Sequence, residues 1–248
     1  MINVLINGIS GRMGQEVFKV ISQFEECKVV AGVDKVSNEL SIPVYVDASE
    51  VKEKVDVIID FSLPDATMQI LEYAKANLIP IVIATTGFDG EQLKVIDDYS
   101  KIIPIFISSN MSYEINLMCE IVGKLAKQLN ESDIEIIETH HRNKVDSPSG
   151  TALMLANSMN KALDNKMEYM YDRHTIKQKR SDKEIGIHAV RGGTEVGKHT
   201  VLFLGDNESF EITHTVTSRS IFAKGAVKAA IYLVNQESGL YNMKDLME

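Results

Sequence analysis

The chain has 248 residues, enough for one large α/β domain or two modest ones, because a single hydrophobic core stops growing at about this size. Hydrophobic residues make up 44% and charged residues 25%, with only 5 prolines, which excludes disordered, collagen-like and repeat-fibre classes. The formal net charge of −9 disfavours nucleic acid or an anionic membrane as a partner. All 6 histidines lie in the second half, so we expect the chemistry that titrates near neutral pH there.

Cysteine usage and hydropathy bear on where the protein works. Cys27 and Cys119 match no metal or redox spacing and indicate no disulfide framework, which points to a reducing compartment. The first residues lack a signal-peptide pattern, and no apolar segment approaches the roughly 20 residues that span a bilayer. We therefore expect a cytoplasmic protein.

The first half of the sequence predicts strands that alternate with helices. Apolar runs predict strands at 2–6, 27–33, 55–61, 79–84 and 102–107, and helical periodicity predicts helices at 13–24, 64–76 and 91–99. Continuous apolar strands separated by helices are typical of a parallel sheet covered on both faces.

The pattern changes after about Asn110. Helices are predicted at 112–129 and 149–163, strands at 134–139, 184–190, 199–204 and 210–217, and an exposed loop at 171–183. Strands joined by short loops predict an open, mainly antiparallel sheet in a second, α+β domain. A last helix at 221–235 is expected to pack on the first domain, so the predicted domains are 1–111 with 219–248, and 112–218.

A glycine-rich turn separates the first strand from the first helix. Gly8, Gly11 and Gly14 give the spacing G-x-x-G-x-x-G, where a Rossmann-like domain has its dinucleotide fingerprint. Asp34 follows the second strand, 20 residues after Gly14, where a carboxylate accepts hydrogen bonds from a ribose. Lys35 could pair with a 2′-phosphate, which suggests that both NAD and NADP are accepted. The alternatives are a simple glycine turn and, for Asp34 and Lys35, a solvated turn.

The candidate cofactor-binding residues come from this turn and from three strand ends. Ligands of open α/β sheets bind outside the carboxyl ends of the strands, where small and hydroxyl-bearing residues suit backbone contact with a nucleotide. These candidates are Gly8, Ile9, Ser10, Gly11, Arg12, Met13, Asp34, Lys35, Ala84, Thr85, Thr86, Ser108, Ser109, Asn110 and Met111.

A cluster of basic side chains precedes the second predicted helix of the second domain. His140, His141, Arg142 and Lys144 lie within five positions, a composition that suits a small dianionic substrate. A zinc site is the competing interpretation, but adjacent histidines without a third ligand at the right spacing make a poor one, and we predict no metal. A charged surface loop is the other alternative.

The same segment runs directly into the start of that helix. Ser147 or Ser149 can cap the helix, and the amides of Gly150 and Thr151 in its first turn would point at an anion. The basic cluster and the helix start together predict a binding site for a carboxylate.

The segment 140–152, which reads H-H-R-N-K-V-D-S-P-S-G-T-A, resembles the 4-hydroxy-tetrahydrodipicolinate reductase family, also called dihydrodipicolinate reductase. The resemblance extends over the chain through the glycine turn and the segments 60–62, 84–87, 191–193 and 218–226. It implies that NADH or NADPH delivers a hydride to a cyclic unsaturated imine dicarboxylate, with loss of water, on the diaminopimelate route to lysine.

Residue roles follow from the resemblance and agree with the chemistry of the side chains. It implies that His140 is the proton donor, that Lys144 also donates, and that His141, Gly150 and Thr151 bind the substrate. A hydride transfer leaves a carbon that needs a proton, and an imidazole suits that step near neutral pH. The family also implies a homotetramer, which would cover the open sheet of the second domain.

Two departures from the family pattern affect the cofactor contacts. Ala84 stands where the family usually has glycine, and 108–111 replaces a more apolar segment, so the nicotinamide contacts are less defined than the pyrophosphate contacts. The other four histidines, at 174, 188, 199 and 214, are expected to be structural, and Arg219 could counter a carboxylate or form a salt bridge.

Two alternative functions use the same fold. One is a dinucleotide-binding regulatory protein without turnover, against which the intact histidine–lysine segment argues. The other is reduction through a thioester on Cys119, which lies among apolar residues of a predicted helix without an evident activating partner.

Overall fold

The structure is a computed structural model that describes residues 1–36 and 40–247. The described residues form two compact units, one from Met1–Tyr113 with Arg219–Glu248 and the other from Glu114–Ser218. Among the described helices, none combines the length and the apolar character needed to cross a membrane.

Strands and helices alternate along the first part of the chain. They are β1 (Ile2–Asn7), α1 (Arg12–Val20), β2 (Cys27–Val33), β3 (Val44–Tyr45), β4 (Val57–Asp60), α2 (Pro64–Ala76), β5 (Ile81–Ile83), α3 (Gly90–Ser100) and β6 (Pro104–Ile107). The elements that follow are α4 (Tyr113–Gln128), β7 (Asp133–His140), α5 (Gly150–Ala162), β8 (Glu168–Met170), β9 (Glu184–Arg191), β10 (Gly197–Leu204) and β11 (Ser209–Val216). The chain closes with α6 (Ser220–Leu233) and β12 (Gly239–Tyr241). Short 3-10 turns follow α1 and β3.

The first unit is built on a parallel sheet of seven strands in the order β12-β6-β5-β4-β1-β2-β3. Its central strands are fully buried because their apolar side chains meet helices on both faces. Helices α1 and α6 cover one face, and α2 and α3 cover the other. The predicted α/β fold is confirmed, and the last helix packs on this unit as expected. The short edge strands β3 and β12 were not predicted.

Helix α6 packs closely against the backbone of Met111, which follows β6. A Cβ placed on Gly225 of α6 would lie 1.8 Å from the backbone oxygen of Met111, so only glycine allows this approach. Met111 is 2% exposed and belongs to the core that α6 shares with α1.

The second unit is built on an open sheet of five strands in the order β11-β10-β7-β9-β8. Strand β10 runs antiparallel to both of its neighbours, whereas β9 runs parallel to β7 and to β8. The α+β class of this unit is therefore confirmed, but the sheet is mixed rather than mainly antiparallel. Helix α5 carries the chain back along the sheet between β7 and β8, and the loop 171–183 does the same between β8 and β9, so both strands run in the direction of β7.

Helices α4 and α5 bury one face of this sheet. Their apolar side chains, among them Met118, Val122 and Leu155, pack on Ile136 and Val201 of the strands. The predicted loop 171–183 contains no helix or strand, and Arg180 attaches it to β7 through hydrogen bonds to Asp133 and Glu135.

Candidate active site

The glycine turn between β1 and α1 is so tight that side chains do not fit. Gly8 has a φ of +76°, and a Cβ there would lie 2.4 Å from the oxygen of Phe61. A Cβ on Gly14 would lie 2.2 Å from the oxygen of Gly8. Helix α1 starts at Arg12 without a side-chain cap on its first amides. An uncapped helix start behind a close-approaching backbone suits the pyrophosphate of a dinucleotide.

The carboxylate predicted to bind ribose lies beside this turn. Asp34 follows β2, and its Oδ2 accepts a hydrogen bond of 2.9 Å from the backbone amide of Ser10. The Ser10 hydroxyl donates to the oxygen of Val36. The turn and the end of β2 are thus held together, as a single binding surface requires.

An open cavity of about 1500 Å³ lies along these strand ends. Nine of the predicted cofactor residues line it: Gly8, Gly11, Arg12, Met13, Asp34, Lys35, Ala84, Thr85 and Thr86. The volume exceeds the upper end of ordinary ligand pockets. The cavity, the glycine cradle and the carboxylate together fit a nicotinamide dinucleotide.

The remaining predicted cofactor residues occupy other positions. The side chain of Ile9 is fully buried. It fits beside Gly32 because a Cβ on that residue would occupy the same space. The described residues that line the cavity include none of 108–111. Ser108 donates from its hydroxyl to the oxygen of Asn110, and Met111 lies in the core. Any contact of these residues with a cofactor stays a prediction.

Sequence reasoning gave no role to Asp60, the fully buried carboxylate at the end of β4. It accepts hydrogen bonds from Asn7 (2.8 Å), Ser62 (2.5 Å), Thr67 (2.6 Å) and Thr85 (2.8 Å). Burial raises the pKa of Asp60, while these hydrogen bonds oppose the rise. Asp60 therefore ties the ends of β1 and β4 to α2 and to the loop after β5, all of which border the cavity.

The predicted proton donor ends β7 in the second unit. His140 is 7% exposed, and its Nδ1 lies 2.5 Å from Oε2 of Glu138. A carboxylate only accepts hydrogen bonds, so Nδ1 carries the proton and Nε2 is the atom left for exchange. A Cβ on Gly197 would lie 3.1 Å from this Nε2. Burial lowers the pKa of His140, against the opposing effect of Glu138.

Glu138 itself is a buried acceptor for three residues. Its oxygens accept two hydrogen bonds of 2.7 Å from Arg191, one of 3.0 Å from the amide of Ser149, and the bond from His140. Burial acts to raise the pKa of Glu138, but these hydrogen bonds lower it below its ordinary value. No local pattern in the sequence pairs Glu138 with Arg191, since the two residues are 53 positions apart.

The predicted anion-binding helix start is α5. Ser149, rather than Ser147, is its cap, since the Ser149 hydroxyl accepts from the amide of Ala152 at 3.2 Å. The same hydroxyl lies 3.0 Å from Nε2 of His199. Gly150 and Thr151 form the first turn, as predicted.

His199 is part of this buried group, which the sequence did not reveal. It is 3% exposed, and its ring meets the ring of His140 edge-on with centroids 5.1 Å apart. Burial, together with the neighbouring His140, lowers the pKa of His199 to about 4. His199 is therefore neutral at physiological pH.

The basic segment after β7 is held in place by backbone hydrogen bonds. The amide of His141 donates to the oxygen of Glu195, and that of Arg142 donates to the oxygen of Gly193. Lys144 forms an ion pair of 2.9 Å with Asp146. The buried Nδ1 of His141 has no hydrogen-bond partner among the described residues. The structure thus brings His140, His141 and Lys144 together on one ordered segment.

The described part of the chain also holds possible metal ligands and a half-buried thiol in the second unit. No three His, Cys, Asp or Glu residues there are grouped so that they could hold a metal ion. Cys119 is half-buried in α4, beside the core of the second unit.

Comparison with known proteins gives a consistent result over both units. Residues 2–111 match the family described as "Dihydrodipicolinate reductase, N-terminus", and residues 114–247 match its C-terminus. A 4-hydroxy-tetrahydrodipicolinate reductase of Caldanaerobacter subterraneus subsp. tengcongensis is 50% identical over 100% of this chain and 99% of its own. The enzyme of that name from Brachyspira hyodysenteriae is 47% identical over 98% of this chain and 99% of its own.

Solved structures agree with the sequence comparison. Dipicolinate-bound dihydrodipicolinate reductase from Paenisporosarcina sp. TG-14 superposes with a TM-score of 0.81, at 26% identity over 98% of this chain and 97% of that chain. A diaminopimelate dehydrogenase of C. glutamicum, with a TM-score of 0.58 and 15% identity over 100% and 95% of the two chains, shares the fold alone. The resemblance seen in the sequence is confirmed, and the chain belongs to the dihydrodipicolinate reductase family.

Proposed function

We propose that this protein reduces 4-hydroxy-tetrahydrodipicolinate to tetrahydrodipicolinate with NADH or NADPH, on the diaminopimelate route to lysine. In the balanced reaction one hydride and one proton enter the substrate and one water leaves. The observation that carries the proposal is the buried His140, oriented by a carboxylate, on a basic segment that leads into the capped start of α5. Full-length relatives that carry this activity in their names support it.

The first unit is proposed to bind the cofactor. The amides at the start of α1 would hold the pyrophosphate, and Asp34 would accept hydrogen bonds from the ribose. Lys35 next to Asp34 could pair with a 2′-phosphate, which favours use of both NADH and NADPH. When bound, the nicotinamide supplies the hydride. Residues 84–86 and 108–111 are the proposed contacts at that end of the cofactor.

The second unit is proposed to bind the substrate and to deliver the proton. His141, Gly150 and Thr151 would hold the substrate carboxylates, and Lys144 would add a fixed positive charge and a second donor. The Nδ1 proton of His140 points at Glu138, so delivery occurs from Nε2. Burial lowers the pKa of His140, but the negative charge of a dicarboxylate substrate acts in the opposite direction. Substrate binding would therefore favour the protonated donor.

We also propose that the protein works in the cytoplasm as a homotetramer assembled through the second unit. Ile136 and Ile187 face the helices, whereas Ile137 and Val190 on the other side of the sheet are 39% and 47% exposed. Apolar side chains on an open sheet face are suited to contact with further copies of the chain.

The test of the proposed function is NAD(P)H oxidation with enzymatically generated substrate, run with NADH and NADPH in parallel. We expect substrate-dependent oxidation by the parent, and losses of about 10²–10⁴-fold in turnover for His140→Gln and Lys144→Ala. His174→Gln, in the loop 171–183, is the matched control and should behave as the parent does.

Two outcomes would contradict the proposal. If His140→Gln and Lys144→Ala both turn over within a few-fold of the parent, the assigned roles are wrong. If the parent binds NAD(P)H but does not oxidise it when substrate is added, the regulatory alternative is correct.

A further inference from the structure

We propose that Glu138 is a positioning residue that holds the proton donor and the substrate-binding helix start in one fixed arrangement. The inference rests on the proposed function of His140 and of the start of α5. It assigns to Glu138 two tasks, the choice of the His140 tautomer and the placement of Ser149.

The carboxylate of Glu138 is used completely by its neighbours. Glu138 is fully buried, and each of its oxygens accepts two hydrogen bonds. Oε1 accepts from the Ser149 amide and Arg191, and Oε2 accepts from His140 and Arg191. An amide in this place offers only one acceptor oxygen, so a glutamine cannot satisfy all four donors.

Glu138 sets the tautomer of His140. The carboxylate fixes the proton on Nδ1 and leaves Nε2 to load and release the transferred proton. The negative charge also favours the protonated ring, against the effect of burial. Arg191 keeps Glu138 ionised, since two of its nitrogens donate to it and guanidinium does not lose its proton.

Glu138 also holds the start of α5. The amide of Ser149 donates to Glu138, while the hydroxyl of Ser149 caps the helix at Ala152. Gly150 and Thr151 follow directly. Any shift of the carboxylate therefore moves both the imidazole and the amides that would bind the substrate. Reactions lose rate steeply when such groups are displaced by about 1 Å.

A purely stabilising ion pair would not need this arrangement. Buried pairs of carboxylate and guanidinium contribute little net stability compared with apolar side chains of the same volume, whereas removal of one partner is strongly destabilising. Glu138 and Arg191 can therefore be replaced together. The double replacement removes both charges, so it tests the effect of Glu138 on His140 without leaving a guanidinium unpaired.

The experiment compares Glu138→Gln, Arg191→Met and the double variant Glu138→Gln/Arg191→Met with the parent. We expect Glu138→Gln to lower kcat by at least about 10²-fold and to raise the substrate KM, because the donor and the binding helix are both affected. The NADPH Kd should stay within about two-fold of the parent. The pH at which kcat/KM changes with His140 protonation should shift to lower values.

The surroundings of His140 decide how this pH profile is interpreted. The titratable and charged groups around it are Glu138 on its own strand, Lys144 and Asp146 on the following loop, Arg191 on β9 and His199 on β10. All except Glu138 are unchanged in the single variant, so the shift reports the loss of that one charge.

The double variant decides between positioning and charge balance. It should unfold at a higher temperature than Glu138→Gln, because it contains no guanidinium left without an anion, yet it should keep the loss in kcat. If it turns over within a few-fold of the parent, Glu138 serves only to neutralise Arg191 and the proposal is wrong.

A measurement on the parent keeps the inference testable even without turnover. The ¹⁵N chemical shifts of His140 in the folded parent should report the tautomer protonated at Nδ1. A tautomer protonated at Nε2 would overturn the proposal, whereas absence of NAD(P)H oxidation alongside the Nδ1 tautomer would contradict the proposed function alone.

Discussion

The burial of His199 predicts how stability depends on pH. The side chain is 3% exposed, and burial together with the neighbouring His140 lowers its pKa from 6.5 to about 4. In the unfolded chain the same imidazole takes up a proton below about pH 6.5. Between these two values the unfolded state binds more protons than the folded state, so acid favours unfolding.

The magnitude follows from the two pKa values. From pH 8 to pH 5, His199 alone is expected to remove about 2 kcal/mol from the free energy of unfolding, rising to about 3 kcal/mol below pH 4. The pKa values of His140 and His214 are also lowered by burial, so they act in the same direction. A variant is needed to isolate the part due to His199.

The assay is urea unfolding of the parent and of His199→Gln at several pH values between 5 and 8. The glutamine amide can still meet the hydroxyl of Ser149 but does not titrate. We expect the stability of the variant to fall by about 2 kcal/mol less than that of the parent between pH 8 and pH 5. Equal pH dependence in both proteins would refute the reasoning, because all other titrating groups are common to them.

Three further predictions test packing around the two sites. Gly14→Ala places a methyl group 2.2 Å from a backbone oxygen of the turn. It should lower the free energy of unfolding by about 1–3 kcal/mol, measured by urea unfolding, and weaken NADPH binding, measured by fluorescence titration. Gly90→Ala, with open space around it, is the control. Asp60→Ala leaves four donors without an acceptor and should destabilise by about 3–5 kcal/mol in urea, more than Asp60→Asn, whose amide can accept on one side. Gly197→Ala crowds Nε2 of His140 and should lower kcat while NADPH affinity is kept, measured by steady-state kinetics and titration.

The local pattern of the sequence was sufficient for most elements of the fold. Helix α2 has its predicted bounds because a proline suits its first position and apolar residues follow at helical spacing. Strands β3 and β12, of two and three residues, are too short to show a period. The parallel pairing of β9 with β7 depends on the path of the chain through α5 and the loop 171–183, which no local pattern encodes.

The same distinction between local patterns and long-range contacts applies to the candidate site. The glycine turn and the segment after β7 could be recognised because their functional groups are close in sequence. Glu138 and Arg191 are 53 positions apart, and they meet because β9 pairs with β7 in the register that sets Arg191 opposite His140. Sequence separation of this kind also concealed the contacts of Asp60 with Asn7 and Thr85.

The most direct test of the account follows the cofactor and the product together. Purified protein is mixed with NADPH and freshly generated 4-hydroxy-tetrahydrodipicolinate, and the loss of NADPH is compared with the tetrahydrodipicolinate formed. We expect equal amounts of both, at a rate that His140→Gln lowers by at least about 10²-fold. NADPH that binds but is consumed no faster with substrate than without it would contradict the account.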